Sequence, residues 1–236
     1  MIKAILFDLD GTLLPMDEEI FIKDYFAGLI KKISPKGYEP DQLVSGVWSG
    51  TKSMIKNNGD KLNEHVFWES FSKVMGEKIL EHKPLFEDFY SNDFDLLSNS
   101  CGYNPKSKEI VDKVKNMGYR TVLATNPVFP KIAVEKRLKW VGLSAKDFEL
   151  CTTYENTSYC KPNIKYYENI LDEIGCKAEE CLMIGNNATE DMIASTLGMK
   201  VFLLTDCLIN KEEKDISNYP NGSYDELIKY IDSLSK

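Results

Sequence analysis

Three apolar or β-rich runs in this chain each stop at a polar residue, and that punctuation constrains the fold more than any other feature. Ile2–Phe7 ends at Asp8; Tyr119–Ala124 ends at Thr125-Asn126-Pro127; Cys181–Ile184 ends at Gly185-Asn186. Short strands that are apolar throughout suit a sheet covered on both faces. From residue 105 onward such strands alternate with helical stretches. Pro105 opens a helix carrying Ile110, Val111, Val114 and Met117, which Gly118 closes. The spacing predicts further helices over 130–141 and from Asn163 to Ile174, ending near Gly142 and Gly175. Phe148–Thr152 reads as a weaker strand, Asp191–Leu197 as a short helix, Lys200–Leu204 as a strand and Tyr224–Leu234 as a terminal helix. Alternation of this kind implies βαβ units, and hence a doubly wound α/β domain on a parallel sheet. Ligands of such sheets bind beyond the carboxyl ends of the strands. Asp8, Thr125 and Asn186 are therefore expected to meet at one site.

Residues 16–102 follow a different rhythm. Ile20, Tyr25, Phe26, Leu29, Ile30 and Ile33 mark one helical face, and further helices are expected around 60–76 and 84–97. Pro35, Gly37 and Pro40 break the pattern between segments. The expected organisation is an α/β core from 1–15 and 103–236, with a helical domain inserted over 16–102. Leu14-Pro15-Met16 and the stretch near 98–105 are the expected hinges. Trp48, Phe67, Trp68 and Phe71 are expected in the core of the insert. Lys52, Lys56 and Lys61 are expected on a solvated face.

Composition excludes several functions. The net charge of −8 repels nucleic acid and anionic membranes, and only Arg120 and Arg137 supply guanidinium groups. No apolar run approaches the ~18 residues needed to span a bilayer, and the N-terminus is too short for a signal h-region. The six cysteines form no C-x-x-C pair, and the only histidines are His65 and His82, which argues against a zinc site. The expectation is a cytoplasmic protein with reduced thiols, monomeric or homodimeric, without nucleic-acid or membrane partners.

Asp8 and Asp10 leave an apolar strand two residues apart, and Gly11 permits the chain to turn there. One carboxylate of such a pair can attack phosphorus. The other can protonate the leaving oxygen and later deprotonate water. Magnesium, a hard cation, suits carboxylates, carbonyls and water. A calcium loop is the competing reading, with Glu19 at its twelfth position. However, a strand precedes the motif where a helix should stand, and Leu13 and Leu14 replace ligands.

Asp8-Leu9-Asp10-Gly11-Thr12-Leu13 resembles the first signature of the haloacid dehalogenase-like hydrolases. By that resemblance Asp8 is the nucleophile and Asp10 the general acid/base, the second acid being typical of the family's phosphatases. Val122-Leu123-Ala124-Thr125 resembles the second signature, and Cys160-Lys161-Pro162 the third. The resemblance makes Thr125, Asn126 and Lys161 the phosphate-binding residues, and Pro162 suits a helix start. Met183-Ile184-Gly185-Asn186-Asn187-Ala188-Thr189-Glu190-Asp191 resembles the fourth signature, with Asn186 where the family carries its first acid. The implied magnesium ligands are Asp8, Asp10, Asn186 and Asp191. An amide oxygen coordinates without charge, so metal affinity is expected to fall; approach of Glu190 or Asn187, or a water bridging to Asp191, are the alternatives. The insert takes the place of a helical cap, which excludes water and selects the leaving group. The activity implied is magnesium-dependent hydrolysis of a small-molecule phosphate monoester through an aspartyl phosphate. A phosphosugar mutase and a catalytically weak phosphate- or partner-binding relative are the other readings of the same pattern, and phosphonate hydrolysis would need a Schiff-base lysine that no cap position singles out.

Overall fold

The computed structural model describes residues 1–234. Its centre is a parallel sheet of strands β1 (Ala4–Phe7), β2 (Arg120–Leu123), β3 (Leu150–Cys151), β4 (Cys181–Gly185), β5 (Lys200–Leu204) and β6 (Asn221–Gly222). The order across the sheet is β3-β2-β1-β4-β5-β6. The expected α/β parallel architecture is what the chain forms, with β6 an addition too short and polar to be marked by hydropathy.

Side chains alternate between the two faces of each strand. Ile5 and Phe7 pack on one face with helices α5 (Pro105–Asn116), α6 (Lys131–Trp140) and α8 (Tyr224–Ser233). Ala4 and Leu6 pack on the other with α7 (Ile164–Ile174). Helices on both faces explain why β1 is buried along its whole length. Register then fixes the site. Phe7 aligns with Leu123 of β2 and with Ile184 of β4. The chains therefore leave the sheet at Asp8, Ala124 and Gly185 at one level.

Residues 18–100 are helical almost throughout. Helix α1 (Glu18–Ile33) is capped by Asp17, whose carboxylate accepts from the Glu19 and Ile20 backbone N–H groups. Phe21, Tyr25, Leu29 and Ile33 form its buried stripe at a spacing of four. Ile20, expected on that face, is 51% exposed, because the stripe lies one residue further on. Helix α2 (Pro40–Ile55) begins at a proline expected to break the pattern, since proline suits a first helical turn. It packs against α3 (Asn63–Met75). The stretch from 84 is not one continuous helix. Helix α4 (Lys83–Asp88) widens into a π turn at Phe89–Asp93 and tightens to 3₁₀ over Phe94–Ser100.

Trp68 and Phe71 lie in a third buried cluster with Phe86, Phe89 and Phe94. Trp48 does not: it is 48% exposed, and Phe67 only packs against the cluster's edge. The two connections of this helical block run side by side. Met16 bridges Cys101, and Gly102 N–H donates to Pro15 O at 2.7 Å. Among the described residues no helix is long and apolar enough to cross a membrane.

Candidate active site

Asp8 sits one residue beyond β1, and its backbone N–H donates to Ile184 O at 2.9 Å, extending the ladder to β4. The residue is 7% exposed at the foot of a cleft of about 250 Å³ that Asp10, Thr125, Asn186, Glu190 and Asp191 also line. Gly11 stands at φ 76°, the left-handed region, and a Cβ there would lie 2.1 Å from Asn186 Nδ2. Glycine is needed at that turn for both its dihedral and its lack of a side chain. Gly185 has the second reason alone, since its Cβ would lie 2.1 Å from Asp191 Oδ2.

Lys161 is the pivot of the site. It is 1% exposed, and its Nζ donates to Asp8 Oδ1 at 2.9 Å and to Asp191 Oδ1 at 2.6 Å. Burial opposes its charge, but the Asp191 and Asp8 carboxylates overcome that and hold its pKa well above the ordinary lysine value. Burial pushes Asp191 up to about 6, with the Lys161 ammonium pulling against it. Helix α7 begins at Ile164 with Asn163 as its cap, whose Oδ1 accepts from Lys165 N–H, so Pro162 lies outside the helix start expected for it.

Asn186 is oriented by two contacts. Its Nδ2 donates to Cys207 O at 2.6 Å, which turns Oδ1 toward Thr12. The Thr12 hydroxyl lies 3.1 Å from Asn186 Oδ1 and 3.3 Å from Asp8 Oδ2. One hydroxyl thus marks the point on which both oxygens converge. Among the described residues no three His, Cys, Asp or Glu side chains are grouped for a metal. The donor set is short of one acid because Asn186 is an amide and Lys161 stands between Asp8 and Asp191.

Thr125 is buried at the cleft wall, and its carbonyl accepts from Thr152 Oγ1 at 2.7 Å and Tyr166 Oη at 2.9 Å. Asn126 links two motifs: its Oδ1 accepts from Lys161 N–H at 3.3 Å and its Nδ2 donates to Glu190 Oε2 at 3.0 Å. Burial pushes Glu190 up to about 7. Its carboxylate is turned toward Asn126. Asn187 faces its own turn, accepting from the backbone N–H groups of Thr189 and Glu190.

The structure adds Arg137, which the sequence motifs do not single out. It is fully buried on α6, and its Nη1 donates to Asp10 Oδ2. Its guanidinium lies 4.5 Å from the centre of the Phe129 ring. Among the described residues, Asp10 Oδ1 and Arg137 Nη2 have no hydrogen-bond partner. Burial raises Asp10 above the ordinary aspartate value, with the Arg137 charge opposing it. A signal for Arg137 did exist. It occupies the apolar stripe of α6 with Ala133, Val134 and Leu138, and a charge on such a stripe needs a buried partner.

The family model for the haloacid dehalogenase-like hydrolases matches residues 5–204. A glyceraldehyde 3-phosphate phosphatase of Methanothermobacter thermautotrophicus is 25% identical over 243 residues, spanning 100% of this chain and 99% of that enzyme. A phosphoglycolate phosphatase of Vibrio parahaemolyticus is 27% identical, spanning 98% of this chain and 96% of its own length. The crystal structure of a HAD phosphatase from Thermococcus onnurineus superposes with a TM-score of 0.60 at 22% identity, covering 98% of both chains. With an acidic pair at the end of the central strand and a buried lysine joining Asp8 to Asp191, these likenesses place the chain among the haloacid dehalogenase-like hydrolases, as one of their phosphatases, a phosphoric monoester hydrolase.

Proposed function

We propose that this phosphatase hydrolyses a small-molecule phosphate monoester in two steps, with Asp8 as nucleophile, Asp10 as general acid and base, and magnesium as its cation. The observation that carries the reading is the placement of Asp8. Its carboxylate leaves the central strand into the cleft, and the Lys161 ammonium 2.9 Å away holds one oxygen while the other faces the Thr12 hydroxyl. A lysine so placed orients the nucleophile for attack.

In the first step Asp8 attacks phosphorus, a new P–O bond forms, and the bond to the leaving oxygen breaks. Asp10 gives its proton to that oxygen. In the second step Asp10 takes a proton from water, the water oxygen attacks phosphorus, and phosphate leaves with Asp8 restored. Arg137 holds one oxygen of Asp10 and so fixes the carboxyl that handles the proton. Thr125 and Asn126 stand beside the cleft as phosphoryl-binding groups, with Asn126 also fixing the Lys161 backbone.

The oxygen donors fit a hard divalent cation. Asp8, Asp10, Asn186 and Asp191 would hold it, Asn186 as an uncharged donor. Bound there, magnesium supplies positive charge that offsets repulsion between the Asp8 carboxylate and the phosphate dianion. Residues 16–102 act as the cap, closing the cleft with Met16, Glu18, Phe21, Ile22 and Trp48.

The test is turnover of p-nitrophenyl phosphate with magnesium, with EDTA, and by an Asp8→Asn variant. Magnesium-dependent release lost in Asp8→Asn is expected. Turnover that persists in Asp8→Asn would overturn the assignment of the nucleophile, and turnover unaffected by EDTA would overturn that of the metal.

A further inference from the structure

Beside the catalytic cleft lies a second, larger cavity of about 340 Å³, within the size range of small-molecule sites. Its walls come from both the helical block and the α/β core, and nine of its twenty lining residues are aromatic. Ile22, Trp48, Thr51, Val128 and Phe129 line both cavities, so the two share a wall. Tyr25, Phe26, Phe67, Trp68 and Tyr154 carry the aromatic surface onward. We propose that this chamber is the leaving-group site, and that the enzyme selects phosphate monoesters of uncharged alcohols with an aryl or bulky apolar body. The inference rests on the phosphatase reading above and narrows it to a substrate class.

Direction supports it first. Asp10 is the group that protonates the leaving oxygen. Arg137, which holds Asp10, stacks on Phe129, and Phe129 is part of the shared wall. Asp10 and Phe129 both line the cleft, so a leaving group whose oxygen meets Asp10 has the shared wall and the chamber beside it.

Exposure supports it second. Trp48 stays 48% exposed although it lies 5.7 Å from the Phe26 ring and borders both cavities. An apolar ring left open there gains by contact with an apolar ligand.

Charge supports it third. The chamber carries Glu64, Glu87 and Glu155 against Lys83 alone. Lys83 is engaged over the Trp68 ring at 4.6 Å, and Glu155 accepts the Lys131 backbone N–H at 2.9 Å. A carboxylate or second phosphate on the leaving group would meet net negative charge. That separates this site from one built for phosphoglycolate.

The test compares 3-phenylpropyl phosphate, propyl phosphate and phosphoglycolate by kcat/KM in magnesium. The first two have leaving alcohols of equal acidity, so the ratio reads ring burial and not chemistry. The phenyl ester is expected to be favoured about ten- to a hundredfold, the scale of one buried aromatic ring. Trp48→Ala should cut that ratio about tenfold or less but measurably, through KM more than kcat. Inhibition by 3-phenylpropylphosphonate against propylphosphonate gives the same comparison without turnover. Equal use of the two esters, or preference for phosphoglycolate, would overturn the inference and leave the phosphatase reading intact. No turnover of any ester, with the phenyl phosphonate still bound preferentially, would sink the mechanism and keep the chamber. A phosphonate preference that is the same in Trp48→Ala and wild type would overturn the chamber itself.

Discussion

Replacing Arg137 by methionine removes the charge that holds Asp10 while keeping an unbranched chain against Phe129. The substitution breaks the ion pair from Nη1 to Asp10 Oδ2 and the Nε hydrogen bond to Ala133 O at 3.3 Å. Nη2 has no partner to give up. Breaking a fully buried pair costs about 3–5 kcal/mol. Here the Asp10 side chain is 26% exposed, so water can take over part of the role of Arg137. The expected destabilisation is therefore at or below the lower end, about 2–3 kcal/mol. Urea denaturation should show it as a fall in midpoint of about 1 M or more, with the slope unchanged. Catalysis should suffer beyond stability. A positioned acid contributes about 10²–10⁴ in rate, and a loosened Asp10 should forfeit about ten- to a hundredfold of kcat with KM nearly constant. Arg137→Lys should recover part of this, since an ammonium retains the charge but not the planar fork. A folded Arg137→Met variant with wild-type kcat would refute the claim that Arg137 positions Asp10.

Other residues give equally direct tests. Asn186→Asp removes the donor to Cys207 O and sets a carboxylate against that carbonyl, so the variant should lose about 1–3 kcal/mol in EDTA. Magnesium should restore its Tm and bind it more tightly than wild type; calorimetry reads both. Gly185→Ala places a methyl 2.1 Å from Asp191 Oδ2. It should cost about 1–3 kcal/mol by overpacking and lower kcat by displacing Asp191 from Lys161. Asp147 accepts from Ser144 N–H at 2.9 Å and from Lys115 Nζ at 2.6 Å, and although burial opposes it these partners hold its pKa below the ordinary 3.8. Because the folded pKa is the lower one, its stabilisation is present above the unfolded value and lost as pH falls through the folded one. Asp147→Asn should therefore lose about 1 kcal/mol at neutral pH and show a flatter decline of stability toward pH 3.

The sheet was readable because its physics is local. β1 and β4 are apolar throughout and β2 is so in its second half, and each run is followed by a polar residue that the register brings to one level. The helices of the core closed near the glycines expected of them, Gly118, Gly142 and Gly175. Arg137 was not readable in the same way. Nothing near it in sequence names Asp10, its partner 127 positions away. The aromatic chamber was hidden for a related reason. Trp48 and Phe71 look alike in a helical pattern, and only packing decides that one opens to a cavity while the other is sealed. The face of α1 shifted by one residue because Phe21 and Ile20 are both apolar, and tertiary contact with Phe94 and Phe129 selects Phe21.

The central claim is that Asp8 becomes covalently phosphorylated during turnover. Acid quenching in mid-turnover, borohydride reduction and peptide mass spectrometry read it directly, because an acyl phosphate is reduced where a free carboxylate is not. The account predicts conversion of the residue at position 8 to homoserine, dependent on substrate and magnesium and absent from Asp8→Asn. Steady turnover with an unmodified Asp8, together with inversion of configuration at phosphorus, would show direct attack by water and contradict it.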